Sequence, residues 1–117
     1  MHDTRPTTRF IAHEKALKAA HIAISVVLRV PAPLRSLADQ VVRSASSVPA
    51  NLAEGAGRSG KDRAYHWRIA YGSAKEVDTH LQLLLGSEAI DVNQTEKALQ
   101  LFDDVRALTC RLLNPRR

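Results

Sequence analysis

Every long apolar pattern in this sequence repeats at three or four residues, and none repeats at two. Phe10, Leu17, Ala20, Ile24 and Val27, with Leu28, follow helical spacing, and Leu34, Leu37, Val41, Ala45, Val48 and Leu52 do the same. So do Trp67, Ala70, Ala74, Val77, Leu81 and Leu84, and then Ala98, Leu101, Phe102, Val105, Leu108 and Leu112. An apolar face that returns about every 3.6 residues is buried by a helix, whereas a half-buried strand needs alternation. The spacing predicts helices over residues 9–30, 34–54, 60–85 and 94–113, joined by short loops. Four such helices make an all-α, antiparallel up-and-down four-helix bundle, a single domain over residues 1–117.

Local signals place the helix ends. Thr7 and Thr8 start the first helix, and Pro31 and Pro33 close it. Gly55 is expected to end the second helix, with Ser59 capping the third. Gly86 is expected to stop the third as a left-handed cap, and Asn93 with Glu96 to cap the fourth. Pro49 falls inside the second helix, where it removes the hydrogen bond to the Ala45 carbonyl; Ser46, Ser47 and Asn51 stand near enough to satisfy the freed groups.

The stretch EGAGRSGKD, residues 54–62, imitates two nucleotide-binding fingerprints. Gly55, Gly57 and Gly60 fit G-x-G-x-x-G, and Gly55 to Lys61 fit the phosphate loop up to its last position, which is Asp62. Both motifs need a strand to deliver the chain to the glycines. Here a helical period precedes them, and Asp62 would set a carboxylate beside the phosphates. The glycines are therefore read as a helix–helix corner, with no nucleotide cofactor.

Other chemistry fails on spacing. His13 and Glu14 begin H-E-x-x-H, but Leu17 replaces the second histidine. His66 and His80 lie about 21 Å apart along one helix, too far for one metal. Cys110 has no neighbouring histidine, and no G-x-S-x-G elbow presents a serine. The expectation is no catalytic residue, no metal and no cofactor. One cysteine permits no internal disulfide, and no apolar leader or membrane-length run is present, so a soluble cytoplasmic protein without a membrane partner is expected.

Two polar rows flank the inner seam. Gln40, Ser44, Ser47, Asn51 and Glu54 follow one edge of the second helix, and Ser73, Glu76 and His80 one edge of the third. A structural network of Arg43, Ser47, Asn51, Glu54, Ser73 and Glu76 is expected, with Arg43 paired to Glu76. Opposite that seam, Lys61, Tyr65, Arg68, Gly72, Lys75 and Thr79 form an outward stripe. A mid-helix glycine costs about 1 kcal/mol relative to alanine, which argues for close approach by a neighbour. Tyr65 and Gly72 are thus assigned to self-association, and Arg58, Lys61, Arg63 and Arg68 to an anionic partner. The charge distribution agrees: residues 1–75 hold 12 Lys/Arg against 5 Asp/Glu, and residues 76–117 hold 5 against 7.

The two central segments carry a resemblance. Gln40, Arg43, Ser44, Ala45, Ser47, Val48, Pro49, Asn51, Leu52, Ala53, Glu54, Gly55, Gly57 and Arg58 match one signature block. Ile69, Ala70, Gly72, Ser73 and Glu76 match a second. Together they resemble the 23S rRNA intervening-sequence protein family, although Ala16 stands where that family commonly has tryptophan. The resemblance implies a small bacterial four-helix bundle that forms ring-like homopentamers. Residues and resemblance together predict a non-enzymatic, oligomeric bundle associating with nucleic acid, RNA above all, through its basic surface. A protein–protein interaction scaffold with no nucleic-acid role is the alternative.

Overall fold

The computed structural model describes residues 7–115. Helix α1 spans Thr8–Val26, α2 Arg35–Ala56, α3 Gly60–Gly86 and α4 Val92–Leu113, with a short 3-10 turn at Ala32–Leu34 before α2. Among the described residues no strand occurs. Consecutive helices pack on each other and α4 returns to α1, so α1 and α3 are diagonal partners, each held between α2 and α4. The result is the antiparallel bundle expected from the apolar period, 52 × 27 × 20 Å.

Several helix ends differ from expectation. Helix α1 stops at Val26 rather than near residue 30, and Val27 and Leu28 bond three residues back, to Ile24 and Ser25. Pro31 offers no N–H and disfavours helical backbone before it, so the chain tightens early. Helix α4 begins at Val92, capped by Asp91 rather than Asn93; the Asp91 carboxylate accepts from the Gln94 N–H at 2.7 Å. Gly55 does not end α2, which continues to Ala56 with Gly57 at its carboxyl terminus. Ser59 precedes α3 but makes no side-chain capping bond. Gly86 is the last helical residue of α3, and the left-handed position after it is Glu88, at φ 61°.

Pro49 is buried within α2, as read from the sequence. The nearby polar groups do not serve the Ala45 carbonyl, however. Ser44 bonds to the Gln40 carbonyl at 2.7 Å, Ser46 to Arg43 at 3.1 Å and Asn51 to Ser47 at 2.9 Å. Helical side chains fold back onto carbonyls three or four residues earlier, and the positions that would reach Ala45 are Val48 and Pro49.

Helix α1 buries a face shifted towards alanine from the one expected. Its inner face is Ala12, Ala16, Ala19, Ala20 and Ala23, with Val27 following in the turn. Phe10, Leu17 and Leu28 point outward, 52%, 46% and 72% exposed. A face of methyl groups lets a backbone lie close to its neighbours, while Phe102, Leu81, Leu84 and Val41 fill the centre. Of the face expected from the sequence, Ala20 and Val27 are buried and Ile24 packs against the core, while Phe10, Leu17 and Leu28 are not part of it.

Polar ties link the outer helices. Arg106 joins α4 to α3 through Asp78 at 3.1 Å, and Lys15 joins α1 to α4 through Asp104 at 2.9 Å. The Lys15 hydrogen bond holds the Asp104 carboxyl below its ordinary value of 3.8, against the opposing effect of burial. A depressed carboxylate stabilises the fold above its unfolded pKa, and that contribution disappears as pH falls through the folded value. Both side chains are more than a third exposed, so solvent screens the pair. Lys15→Met should therefore cost under about 1 kcal/mol at pH 7. The gap between variant and wild type should close as pH falls below 3.8. Urea titrations at neutral and acid pH test this, and a gap that widens in acid would contradict it.

Candidate functional site

The seam between α2 and α3 carries a connected polar chain. Ser73 Oγ donates to Ser47 Oγ at 2.8 Å, and Asn51 Nδ2 donates to the same hydroxyl at 3.0 Å. Asn51 Oδ1 lies 3.0 Å from His66 Nδ1, a contact that requires the ring proton on Nδ1. Ser47, Asn51 and Ser73 thus meet as the sequence predicts. His66 joins them, unassigned in advance although it sits seven residues before Ser73 on the same helical face.

Arg43, Glu54 and Glu76 are not part of this chain. Arg43 and Glu76 are exposed and form no ion pair with each other. The antiparallel register sets Ser47 against Ser73 and Asn51 against His66. It leaves Arg43 and Glu76 at the solvated rim, where a pair gains little. Glu54 turns instead to Arg58, at 2.9 Å. His80, on the same helix, has a buried Nδ1 without a hydrogen-bond partner among the described residues. Ser47 and Ser73 bond one another, and His66 is committed to the Asn51 amide. Among the described residues no three metal-ligating side chains converge.

The corner between α2 and α3 is built around Trp67. Its indole N–H donates to the Leu52 carbonyl at 3.2 Å, and its ring lies against Gly55, where an added Cβ would stand 2.5 Å from Cδ1 and Nε1. The glycine of the false nucleotide motif is thus the gap into which this ring fits. Arg63 lies over the ring at 5.5 Å from the centroid and donates to the Gly55 and Ala56 carbonyls at 3.1 and 3.3 Å. It thereby serves the last carbonyls of α2, of which Gly55 also accepts from the Arg58 N–H at 3.1 Å. Arg9, from the start of α1, also lies 5.5 Å from the ring centroid.

The four basic residues assigned to an anionic partner therefore differ in freedom. Arg58 is held by Glu54 at 2.9 Å and faces Asp62 at 3.9 Å. Arg63 is half-buried and structural. Lys61 and Arg68 are exposed, without an ion pair among the described residues. The antiparallel course also brings Arg9 and Arg111 to this end, which residue order alone did not connect.

The outward stripe of α3 is as expected. Tyr65 is 58% exposed, Gly72 faces outward, and a Cβ added there would meet nothing within 4 Å. Leu83, 57% exposed, extends the stripe, since steps of seven and eleven residues stay within about 20° of one line. On α1 Phe10 and Leu17 share one such line, and Leu28 follows in the turn after the helix. Because α1 and α3 are diagonal, the two apolar stripes face opposite sides of the bundle. No described helix is long and apolar enough to cross a membrane.

The family model described as 23S rRNA-intervening sequence protein matches residues 9–111. A solved structure from Bacteroides thetaiotaomicron VPI-5482, a protein with unknown function from the S23 ribosomal protein family, is similar with a TM-score of 0.81. It shares 21% sequence identity, with 92% of this chain and 98% of that one covered, a likeness of fold. Among curated proteins the chain has no match.

Proposed function

The chain belongs to the 23S rRNA-intervening sequence protein family, and on that premise we propose that it is a non-enzymatic homo-oligomer that associates with RNA. The observation that carries this reading is the polarity of the bundle. Arg9, Arg58, Lys61, Arg63, Arg68 and Arg111 lie towards one end and outnumber Glu54 and Asp62 there, while the other end balances Arg29, Arg35 and Lys97 with Glu88, Asp91 and Glu96. Lys61 and Arg68 are the contacts to phosphate, Arg63 fixes the corner that presents them, and Arg58 stands at its rim. RNA is the polyanion of choice because the family's own name speaks of 23S rRNA.

Self-association rests on the two apolar stripes. They are different surfaces on opposite sides, so a contact between copies joins the α1 stripe of one to the α3 stripe of the next. Such a heterologous contact closes into a ring when its rotation allows. The family resemblance gives the number as five. A ring repeats the basic end around one axis and multiplies a weak affinity for phosphate.

Filter retention of RNA over a salt series tests the reading. Log affinity should fall linearly with log salt, and the Lys61→Ala/Arg68→Ala variant should flatten that slope by about two counterions. Retention that ignores salt, or a double variant equal to wild type, would favour the protein–protein scaffold.

A further inference from the structure

The most unusual electrostatic feature of the molecule is a concave site rather than the convex corner. An open cleft of about 440 Å³ lies where the start of α1, the start of α3 and the end of α4 meet. Arg9, Arg63 and Arg111 line it, together with Trp67 and Thr8. No carboxylate is among its lining residues as described.

Three guanidinium groups around one cleft repel each other, and low-dielectric walls focus their potential inward. Trp67 offsets part of this cost, because Arg9 and Arg63 each lie 5.5 Å from its ring centroid. The remaining donors are left facing solvent. Arg63 uses Nε and Nη2 on the carbonyls of Gly55 and Ala56, which leaves Nη1 without a partner among the described residues. Arg9 and Arg111 make no ion pair among the described residues. Trp67 itself is buried beneath the arginines, so the cleft offers no open ring for a base to stack on.

We propose that this cleft is a binding site for a phosphate monoester. Guanidinium groups match phosphate oxygens in pairs, and a monoester dianion carries more charge than a backbone diester for three arginines to neutralise. A monoester also has three terminal oxygens to share among them. The site shares the basic end with the RNA surface proposed above but takes a different group. Lys61 and Arg68 follow a backbone on the outside of α3, whereas the cleft receives a single terminal group. Its phosphate comes either from a nucleic-acid 5′ end or from a small phosphorylated molecule.

The protein has a single tryptophan, so the Trp67 indole gives one nuclear magnetic resonance signal that reports on the cleft. The intact protein is titrated with inorganic phosphate, and with one short oligoribonucleotide carrying either a 5′-phosphate or a 5′-hydroxyl. The 5′-phosphorylated strand should bind at least about tenfold more tightly than the hydroxyl strand and shift the indole signal saturably. Arg9→Ala/Arg111→Ala should abolish that preference; both positions are exposed, and Arg9 meets the fold at the Trp67 ring, which Arg63 still covers in the variant. A saturable shift with inorganic phosphate, lost in the double variant, without a preference between the strands would support the site and make a small phosphorylated molecule its source. Equal strand affinities with no phosphate shift beyond that of sodium chloride at equal ionic strength would overturn it. So would a preference that survives the double variant. If neither strand binds but inorganic phosphate does, the cleft stands and the RNA surface fails.

Discussion

Gly55→Ala should destabilise the protein by about 3 kcal/mol, although replacing a helical glycine by alanine ordinarily gains up to about 1 kcal/mol, and less in a last turn such as this. The reversal comes from what faces this residue. An alanine Cβ would stand 2.5 Å from two atoms of the Trp67 ring and 3.1 Å from the Arg63 carbonyl oxygen. The ring cannot retreat as a flexible side chain would. It is 5% exposed, its N–H is committed to Leu52, and Arg9 and Arg63 lie over it. Forcing it aside costs about 1–3 kcal/mol of overpacking, and the buried hydrogen bond it loses adds about 1–3 more. The helix-propensity gain offsets only part of that sum. For a chain of this size the melting temperature should fall by roughly 10 °C, read by calorimetry or far-ultraviolet dichroism. In a Trp67→Leu background the same alanine should cost little, because the two residues meet directly. An unchanged or raised melting temperature for Gly55→Ala in the wild-type background would refute this account of the corner.

This glycine also shows what could be read in advance. Its place in a false phosphate loop was resolvable from sequence, because a helical period before it leaves no strand to make the motif work. Its role as a socket was not, because Trp67 reaches it across the turn between two helices. The same division holds elsewhere. The seam of α3 was legible since Trp67, Ala70, Ala74, Val77, Leu81 and Leu84 are apolar at every inward step and all are buried. Helix α1 misled because alanine gives a weak apolar signal while Phe10 and Leu17 give a strong one, and packing preferred the side that allows close approach. In the polar seam, Ser47, Asn51 and Ser73 followed from helical spacing alone. Arg43 and Glu76 required the antiparallel register, which sets them outside. The meeting of Arg9, Arg63 and Arg111 at Trp67 is a product of topology, which joins the first, third and fourth helices at one end.

Gly72→Leu should convert the assembly to single subunits of 12.9 kDa without loss of the bundle. Within one chain nothing lies within 4 Å of a Cβ at this position, so neither alanine nor leucine disturbs the internal packing. Gly72→Ala in an isolated subunit should gain up to about 1 kcal/mol of helix stability, the opposite of Gly55→Ala. In the assembly proposed here, the α3 stripe of Tyr65, Gly72 and Leu83 receives the Phe10, Leu17 and Leu28 stripe of a neighbour, and a leucine stands in that neighbour's path. Leu17→Asp should have the same effect from the other side, by placing a charge in the contact. Light scattering on each variant alone should give the subunit mass, where the wild type gives a multiple of it. The mixture is the sharper measurement. A Gly72→Leu subunit keeps its α1 stripe and a Leu17→Asp subunit keeps its α3 stripe, so together they form one sound contact and stop at a dimer. An assembly joined through two copies of the same stripe would not behave so, because one of the two variants would then assemble alone. A wild type of single-subunit mass, or two variants that stay separate on mixing, would remove the opposed stripes as the basis of the ring.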